Sequence, residues 1–134
     1  MAGEVIVLVE DNDKNRKLAR DVLVHDGYRV LEAETSEDGV RLAQEQRPSL
    51  VLMDIHLPGI DGIEALRRLR ADAATRAIPV VAVTASAMTT DRATIMAAGF
   101  DGYQSKPISV RPFLAAVREV LDRGARAYPQ GGHK

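Results

Sequence analysis

The chain has 134 residues, of which 46% are hydrophobic and 4% aromatic, and its formal net charge is −1. This length suits one domain with an aliphatic core, and the near-neutral charge excludes the basic footprint of a nucleic-acid or membrane-surface protein. The sequence has no apolar run of about 18 residues and no cysteine, and its first residues lack the basic and apolar segments that predict a secretory signal. Thiolate chemistry and disulfides are therefore excluded, and we expect a cytoplasmic protein.

Strand and helix patterns alternate five times along the chain. Short apolar runs predict strands at residues 5–9, 29–33, 50–54, 78–84 and 102–105. Amphipathic stretches predict helices at residues 13–24, 35–46, 63–71 and 89–98, and a last helix after Ser109. This alternation predicts an α/β protein with a doubly wound five-stranded parallel sheet. We expect one domain over residues 1–125 and a flexible C-terminal tail over residues 126–134.

Capping residues and periodicity predict how the helices begin and which faces they bury. Asn12 or Asp13 can cap the first helix, and Thr35 opens the second in a capping-box pattern with Asp38. The predicted apolar stripe of the first helix contains Leu18, Val22 and Leu23, and that of the last helix contains Phe113 or Leu114, Val117, Val120 and Leu121. On the third helix, a solvated basic face is predicted at Arg67, Arg68 and Arg70.

Four of the predicted strands end on polar side chains. Glu10 and Asp11 follow the first strand, Asp54 ends the third, Thr84 ends the fourth and Lys106 follows the fifth. Right-handed crossovers place the carboxyl ends of parallel strands at one edge of the sheet, and ligands of open α/β sheets bind at that edge. We therefore expect these five side chains to lie close together.

Three carboxylates gathered in one place indicate a bound cation. Each pair at about 4 Å costs roughly 1 kcal/mol in water, and several times more near a protein surface. Oxygen ligands without a His or Cys cluster favour Mg²⁺, a metal suited to phosphoryl chemistry. Asp54 could then attack phosphorus, while Lys106 and Thr84 stabilise the phosphoryl oxygens.

Each of these residues also has an ordinary structural explanation. Acids after a strand often cap a helix, and we favour that role for Asn12 and Asp13. An isolated Lys106 would be a solvated lysine, and an isolated Thr84 an ordinary strand end. Tyr103 could be a half-buried packing residue. The equivalent placement of the acids, the threonine and the lysine at strand ends favours the functional interpretation.

Four segments resemble the receiver domain of bacterial two-component response regulators. They are Val9–Asn12, Met53–Gly62, Val83–Ala85 and Tyr103–Pro107. They occur in the order that the family has, each at the end of a strand, and the resemblance extends from Val5 to about residue 123. It implies the flavodoxin-like, CheY-like receiver fold. Residues 82–88 and 105–109 are similar to stand-alone single-domain regulators of the DivK type and to receivers of hybrid histidine kinases.

The resemblance implies a phosphoacceptor and a metal site. Asp54 would accept a phosphoryl group from a phosphohistidine on a partner protein. Asp11, Asp54 and the backbone carbonyl of His56 would bind Mg²⁺, with Glu10 acting through water.

The resemblance also implies a switch. Thr84 and Lys106 would hold the phosphoryl group as catalytic residues, and Tyr103 would turn inward when Thr84 moves toward the phosphate. His56 and Ser86 occupy positions that tune hydrolysis of the acyl phosphate in this family.

The implied function is a phosphorelay switch, not a turnover enzyme. The expected partners are a histidine kinase or histidine phosphotransferase, docking on the first helix, and a downstream effector that contacts the fourth helix, fifth strand and fifth helix. We expect a monomer that binds neither nucleic acid nor a membrane directly. The initiating methionine and self-contained ends favour a stand-alone protein over a fragment of a hybrid histidine kinase.

Three other functions have less support in the sequence. An aspartyl phosphatase usually needs a second acid two residues after the nucleophile, where this chain has His56. A nucleotide-binding protein of flavodoxin type lacks support, because the chain has neither G-x-G-x-x-G nor a Walker loop. An interaction module that is never phosphorylated would not need the acid cluster, Thr84 and Lys106.

Overall fold

The protein forms a five-stranded parallel sheet. A computed structural model describes residues 3–55, 61–84, 89–106 and 108–127, without the side chains of residues 89–92 and 124–127. The strands are β1 (Val5–Val9), β2 (Arg29–Ala33), β3 (Leu50–Asp54), β4 (Val80–Thr84) and β5 (Gly102–Ser105). They lie in the order β2-β1-β3-β4-β5, which is the order of flavodoxin-like folds. The predicted doubly wound α/β class is confirmed.

Five helices connect and follow the strands. They are α1 (Asp13–His25), α2 (Ser36–Gln46), α3 (Gly62–Ala71), α4 (Thr89–Ala98) and α5 (Val110–Ala127). The last helix continues two residues beyond the predicted end of the domain, and residues 128–134 of the predicted tail lie outside the described residues. Within the described part of the chain, none of the helices combines the length and apolarity needed to cross a bilayer.

Alternate strand residues pack toward opposite helix layers. On β1, Ile6 and Leu8 belong to the core beneath α1 and α5, whereas Val7 and Val9 belong to the core beneath α2, α3 and α4. Every residue of β3 and of β4 is buried. Burial on both faces explains why these two strands are continuous apolar runs in the sequence.

Most local predictions agree with the structure, and three need correction. Asn12 caps α1 by accepting from the Asn15 amide at 2.9 Å, and the Thr35 hydroxyl accepts from the Asp38 amide at 3.1 Å. The prediction that β4 begins at Ile78 is wrong: β4 starts at Val80, since Pro79 has no N–H to donate to the ladder. The α1 stripe is also shifted, because its fully buried residues are Ala19 and Leu23, and Leu18 is 44% exposed.

The predicted solvated face of α3 is correct for two of its three arginines. Arg67 and Arg68 are exposed and pair with Glu64 on the same helix. Arg70 instead donates to the Ile78 carbonyl at 2.7 Å and to Asp101 Oδ2 at 2.8 Å. It therefore joins the end of α3 to the segments that lead into β4 and β5.

Candidate functional site

The carboxylates of β1 and β3 meet where the strand order of the sheet reverses. Val9 pairs with Met53 in the parallel register, so the residues that follow, Glu10 and Asp54, are neighbours. Carboxylate oxygens of Glu10, Asp11 and Asp54 all lie within 4.8 Å of one another. Glu10 and Asp54 are each 4% exposed, and Asp11 is exposed. This reversal between β1 and β3 is the place where open α/β sheets bind ligands.

Lys106 brings a positive charge into this group of acids. Its Nζ lies 2.7 Å from Glu10 Oε1 and 2.9 Å from Asp54 Oδ2. Its backbone N–H donates to the Thr84 carbonyl at 2.8 Å, which fixes the end of β5 against the end of β4. One ammonium group therefore bridges two buried carboxylates that belong to different strands.

Burial and charge perturb the two ionisable partners of this bridge. Burial raises the pKa of Glu10, and the nearby Asp54 charge adds to this effect, while hydrogen bonds from Lys106 and the Asn12 amide oppose it; the net pKa is raised. Burial acts to lower the pKa of Lys106, but its hydrogen bonds to Glu10 and Asp54 outweigh burial and raise it. Like charges this close are unfavourable, so a further cation is expected to bind favourably here.

Backbone hydrogen bonds hold the loop after β1 in place. The Glu10 amide donates to the Ala33 carbonyl of β2 at 3.0 Å. The Asn12 amide donates to Glu10 Oε2 at 3.1 Å, so an amide of this loop holds one oxygen of the Glu10 carboxylate. The Glu10 side chain is therefore fixed at both oxygens, by Asn12 and by Lys106.

Ile55 and the start of α3 lie in close contact, and Gly62 makes this approach possible. The Ile55 amide donates to the Val83 carbonyl at 3.2 Å, and the Gly62 amide donates to the Ile55 carbonyl at 3.1 Å. A Cβ added to Gly62 would lie 2.9 Å from the Ile55 Cα, so a larger residue would push α3 away from the end of β3.

The two predicted switch residues lie on neighbouring strands. Thr84 is fully buried at the end of β4 and pairs with Ser105 in the parallel register. Tyr103 pairs with Ala82, is half-buried and packs against the core beneath α2, α3 and α4. The predicted carbonyl ligand His56 and the predicted hydrolysis-tuning residues His56 and Ser86 lie outside the described residues.

The donor set fits Mg²⁺. Glu10, Asp11 and Asp54 offer carboxylate oxygens only, the ligand type that this hard cation prefers. Lys106 lies on the same acids, where it could also contact phosphoryl oxygens. The arrangement can therefore combine a divalent cation, a carboxylate nucleophile and an ammonium group in one place.

Comparison with known proteins identifies the class. The response regulator receiver domain matches residues 6–118, and the chain belongs to this family of phosphorelay receivers. It is 42% identical over 116 residues to the polar-differentiation response regulator DivK of Brucella anthropi. The aligned residues cover 87% of this chain and 94% of that protein.

Solved structures of response regulators and receiver domains are also similar to this chain. The receiver domain of the sensor histidine kinase PA1611 from Pseudomonas aeruginosa is 38% identical, with a TM-score of 0.78 over 91% of this chain and 97% of that one. A magnesium ion is coordinated in its active-site cleft. A putative response regulator from Chloroflexus aurantiacus is 26% identical, with a TM-score of 0.86 over 90% of this chain and 99% of that one. The family and the receiver fold predicted from the sequence are thus confirmed.

Proposed function

We propose that Asp54 accepts a phosphoryl group from a phosphohistidine in a Mg²⁺-dependent step, and that the phosphorylated protein then binds an effector. The observation that carries the proposal is the meeting of Glu10, Asp54 and Lys106 at the carboxyl edge of a receiver fold. A histidine kinase or histidine phosphotransferase would be the donor. Because kinases form phosphohistidine from ATP, the reaction belongs in the cytoplasm.

The site residues divide the chemistry between them. Asp11, Asp54 and the His56 carbonyl would hold Mg²⁺, and Glu10 would act through water. Bound Mg²⁺ supplies charge neutralisation for the phosphoryl oxygens. An Asp54 carboxylate oxygen forms the new O–P bond while the P–N bond to the donor histidine breaks and its electron pair returns to the imidazole.

Lys106 and Thr84 would then hold the product. The Lys106 ammonium already lies 2.9 Å from Asp54 Oδ2, within reach of a phosphoryl group on that side chain. The buried Thr84 hydroxyl would donate to another phosphoryl oxygen, and Tyr103 on the next strand would fill the space that Thr84 leaves. To change a 1:99 population of active to inactive forms into 99:1, phosphorylation must favour the active form by about 5.5 kcal/mol. His56 and Ser86 would set how long the acyl phosphate lasts.

The surface of α1 and α5 supports a docking site for the phosphodonor. Leu18 and Val24 on α1 and Val110 on α5 are large apolar residues that are 44%, 52% and 49% exposed, respectively. A groove between these helices is lined by Val22 and Leu114, among others. We propose that the donor binds here, and that the effector binds the face formed by α4, β5 and α5.

The first test is the intact mass of the protein after incubation with acetyl phosphate, with and without Mg²⁺. We expect the native chain to gain one phosphoryl group only with Mg²⁺, and Asp54→Asn to gain none. Asp26→Asn is the matched control, because Asp26 is exposed at the end of α1, and it should behave like the native chain. A phosphoryl group on Asp54→Asn, or none on the native chain from either acetyl phosphate or a phosphorylated histidine phosphotransferase, would overturn the proposal.

A further inference from the structure

Arg16 lies near the start of α1, and its side chain contacts the loop that carries Glu10 and Asp11. Its Nη1 donates to the Glu10 carbonyl at 3.0 Å, its Nε to Glu32 Oε1 at 3.0 Å, and its Nη2 to Asp13 Oδ1 at 2.7 Å. The Arg16 side chain is only 15% exposed. One guanidinium therefore joins the β1–α1 loop, the start of α1 and strand β2.

The hydrogen bond from Arg16 to the Glu10 carbonyl constrains the peptide unit between Glu10 and Asp11. That carbonyl belongs to the peptide that links Glu10 to Asp11, and its orientation sets the directions in which the two side chains leave the backbone. Glu10 points inward to Lys106, whereas Asp11 is exposed, yet their carboxylate oxygens come within 4.8 Å of each other and of Asp54. A fixed plane for the Glu10–Asp11 peptide keeps the two carboxylates in this arrangement.

The Glu32 acceptor of Arg16 is itself held in place. Glu32 lies opposite Leu8 in the β1–β2 register, and its second oxygen accepts from Arg20 Nη1 at 3.2 Å. A guanidinium presents its donors in a rigid plane, so the Glu10 carbonyl and the Glu32 carboxylate together define both its position and its orientation. Lysine, with a single ammonium group on a flexible stem, cannot reproduce this arrangement.

We propose that Arg16 is a positioning residue for the Mg²⁺ site: it fixes the Glu10–Asp11 peptide so that the acids are arranged for the metal before the metal binds. The inference rests on the proposed function. Arg16 would touch neither the metal nor the phosphoryl group. Residues that orient metal ligands typically change metal affinity by about 10- to 100-fold when they are removed.

Arg20 provides an internal comparison. It lies one turn further along α1, also pairs with Glu32, and pairs with Asp21, but its hydrogen bonds do not include one to the Glu10 carbonyl. Its side chain is 37% exposed, and ion pairs this exposed contribute little to stability. If Arg16 acted only as an ion pair of α1, replacing either arginine would have the same effect on the site.

The test is a Mg²⁺ titration followed by NMR for the native chain, Arg16→Met, Arg16→Lys and Arg20→Met. We expect Arg16→Met and Arg16→Lys to weaken Mg²⁺ binding by about tenfold, and Arg20→Met to change it by less than about twofold. The direction of the change in Mg²⁺ affinity separates two roles of Arg16. A purely electrostatic role predicts that Arg16→Met binds Mg²⁺ more tightly, because a nearby cation is lost. Equal or tighter binding by Arg16→Met relative to Arg20→Met would overturn the inference.

Two controls separate this inference from folding and from the proposed function. Thermal unfolding without metal should show that both methionine variants are folded at the temperature of the titration, with the lower midpoint for Arg16→Met because its side chain is more buried. If Arg16→Met does not fold, Glu32→Gln is used in its place and should weaken Mg²⁺ binding by about threefold. At saturating Mg²⁺, Arg16→Met should accept the phosphoryl group to the native extent, with a higher Mg²⁺ concentration at half-maximal rate. A native chain that binds no Mg²⁺ contradicts the proposed function, whereas equal binding by the two methionine variants contradicts only the role of Arg16.

Discussion

A glutamate flanks each end of β1, and the pKa values of these two glutamates are shifted in opposite directions. Glu4 precedes the strand and accepts from Arg118 Nη2 at 2.8 Å, while the same guanidinium contacts the Tyr28 hydroxyl and Asp122. Burial acts to raise the pKa of Glu4, but the hydrogen bond and charge of Arg118 outweigh it, so that pKa is lowered. Glu10 follows the strand, and its pKa is raised.

The difference lies in what surrounds each glutamate. At the amino edge, Arg118 offers separate donors to each of its partners, and the hydrogen bond to Glu4 is the main cause that raises the pKa of Arg118. At the carboxyl edge, one ammonium serves two buried carboxylates, with Asp11 close by. The first arrangement stabilises the fold, and the second leaves an excess of negative charge where chemistry can use it.

The largest expected effect comes from removing the cation at the carboxyl edge. Lys106→Met leaves Glu10 and Asp54 buried without their shared partner and should lower the free energy of unfolding by about 3 kcal/mol without metal. Urea unfolding at pH 7 with a chelator measures this. Lys17→Met is the control, because Lys17 pairs with Asp21 on the exposed face of α1, and it should change stability by less than about 0.5 kcal/mol. Equal stability of the two variants would contradict our account of the carboxyl edge.

A smaller effect is expected at the amino edge, and it should depend on pH. Arg118→Met should cost about 1 to 2 kcal/mol at pH 7, since its side chain and that of Glu4 are only partly exposed. Because the folded-state pKa of Glu4 is lowered, the stabilisation is present above the unfolded value of 4.5 and is lost as pH falls through the folded pKa. Unfolding curves measured from pH 7 to pH 3 should therefore converge for the native chain and the variant. A constant gap over this range would show that lost packing, and not the ion pair, causes the difference.

The smallest expected effect is that replacing each of the two glutamates by glutamine changes the free energy of unfolding differently. Glu4→Gln should destabilise the metal-free protein by about 1 kcal/mol at pH 7, whereas Glu10→Gln should be neutral or slightly stabilising. Since the folded-state pKa of Glu10 is raised, its contribution is fully present below the unfolded value of 4.5 and declines as pH rises through the folded pKa. Thermal unfolding of both variants across pH 4 to 8 measures this. Destabilisation of the same sign and pH profile in both variants would remove the distinction between the two edges.

The sequence predicts the parts of this protein that depend on local pattern and on topology. The buried runs of β3 and β4 and the caps at Asn12 and Thr35 are local signals. The meeting of Asp54 and Lys106, 52 positions apart, follows from the parallel topology, which places strand ends at one edge.

The parts that could not be predicted depend on where long side chains reach. Arg118 pairs with Glu4 over 114 positions and Arg70 with Asp101 over 31, and no spacing rule connects such residues. Arg16 lies among the charged residues of α1 and has no sequence signal for its bond to the Glu10 carbonyl. Leu18 follows the helical period, but the helix is rotated so that the smaller Ala19 meets the sheet.

The assembly of the site from separate strand ends has a consequence for the reliability of signalling. Glu10, Asp54, Thr84 and Lys106 come from four strands, and the first and last of them are in contact at 2.7 Å. A nascent or partly unfolded chain lacks this juxtaposition, so it cannot gather the acids around Lys106. The group of charges at the carboxyl edge therefore exists only in a chain whose strands β1, β3, β4 and β5 have paired, so folding of the sheet decides whether the site is present at all.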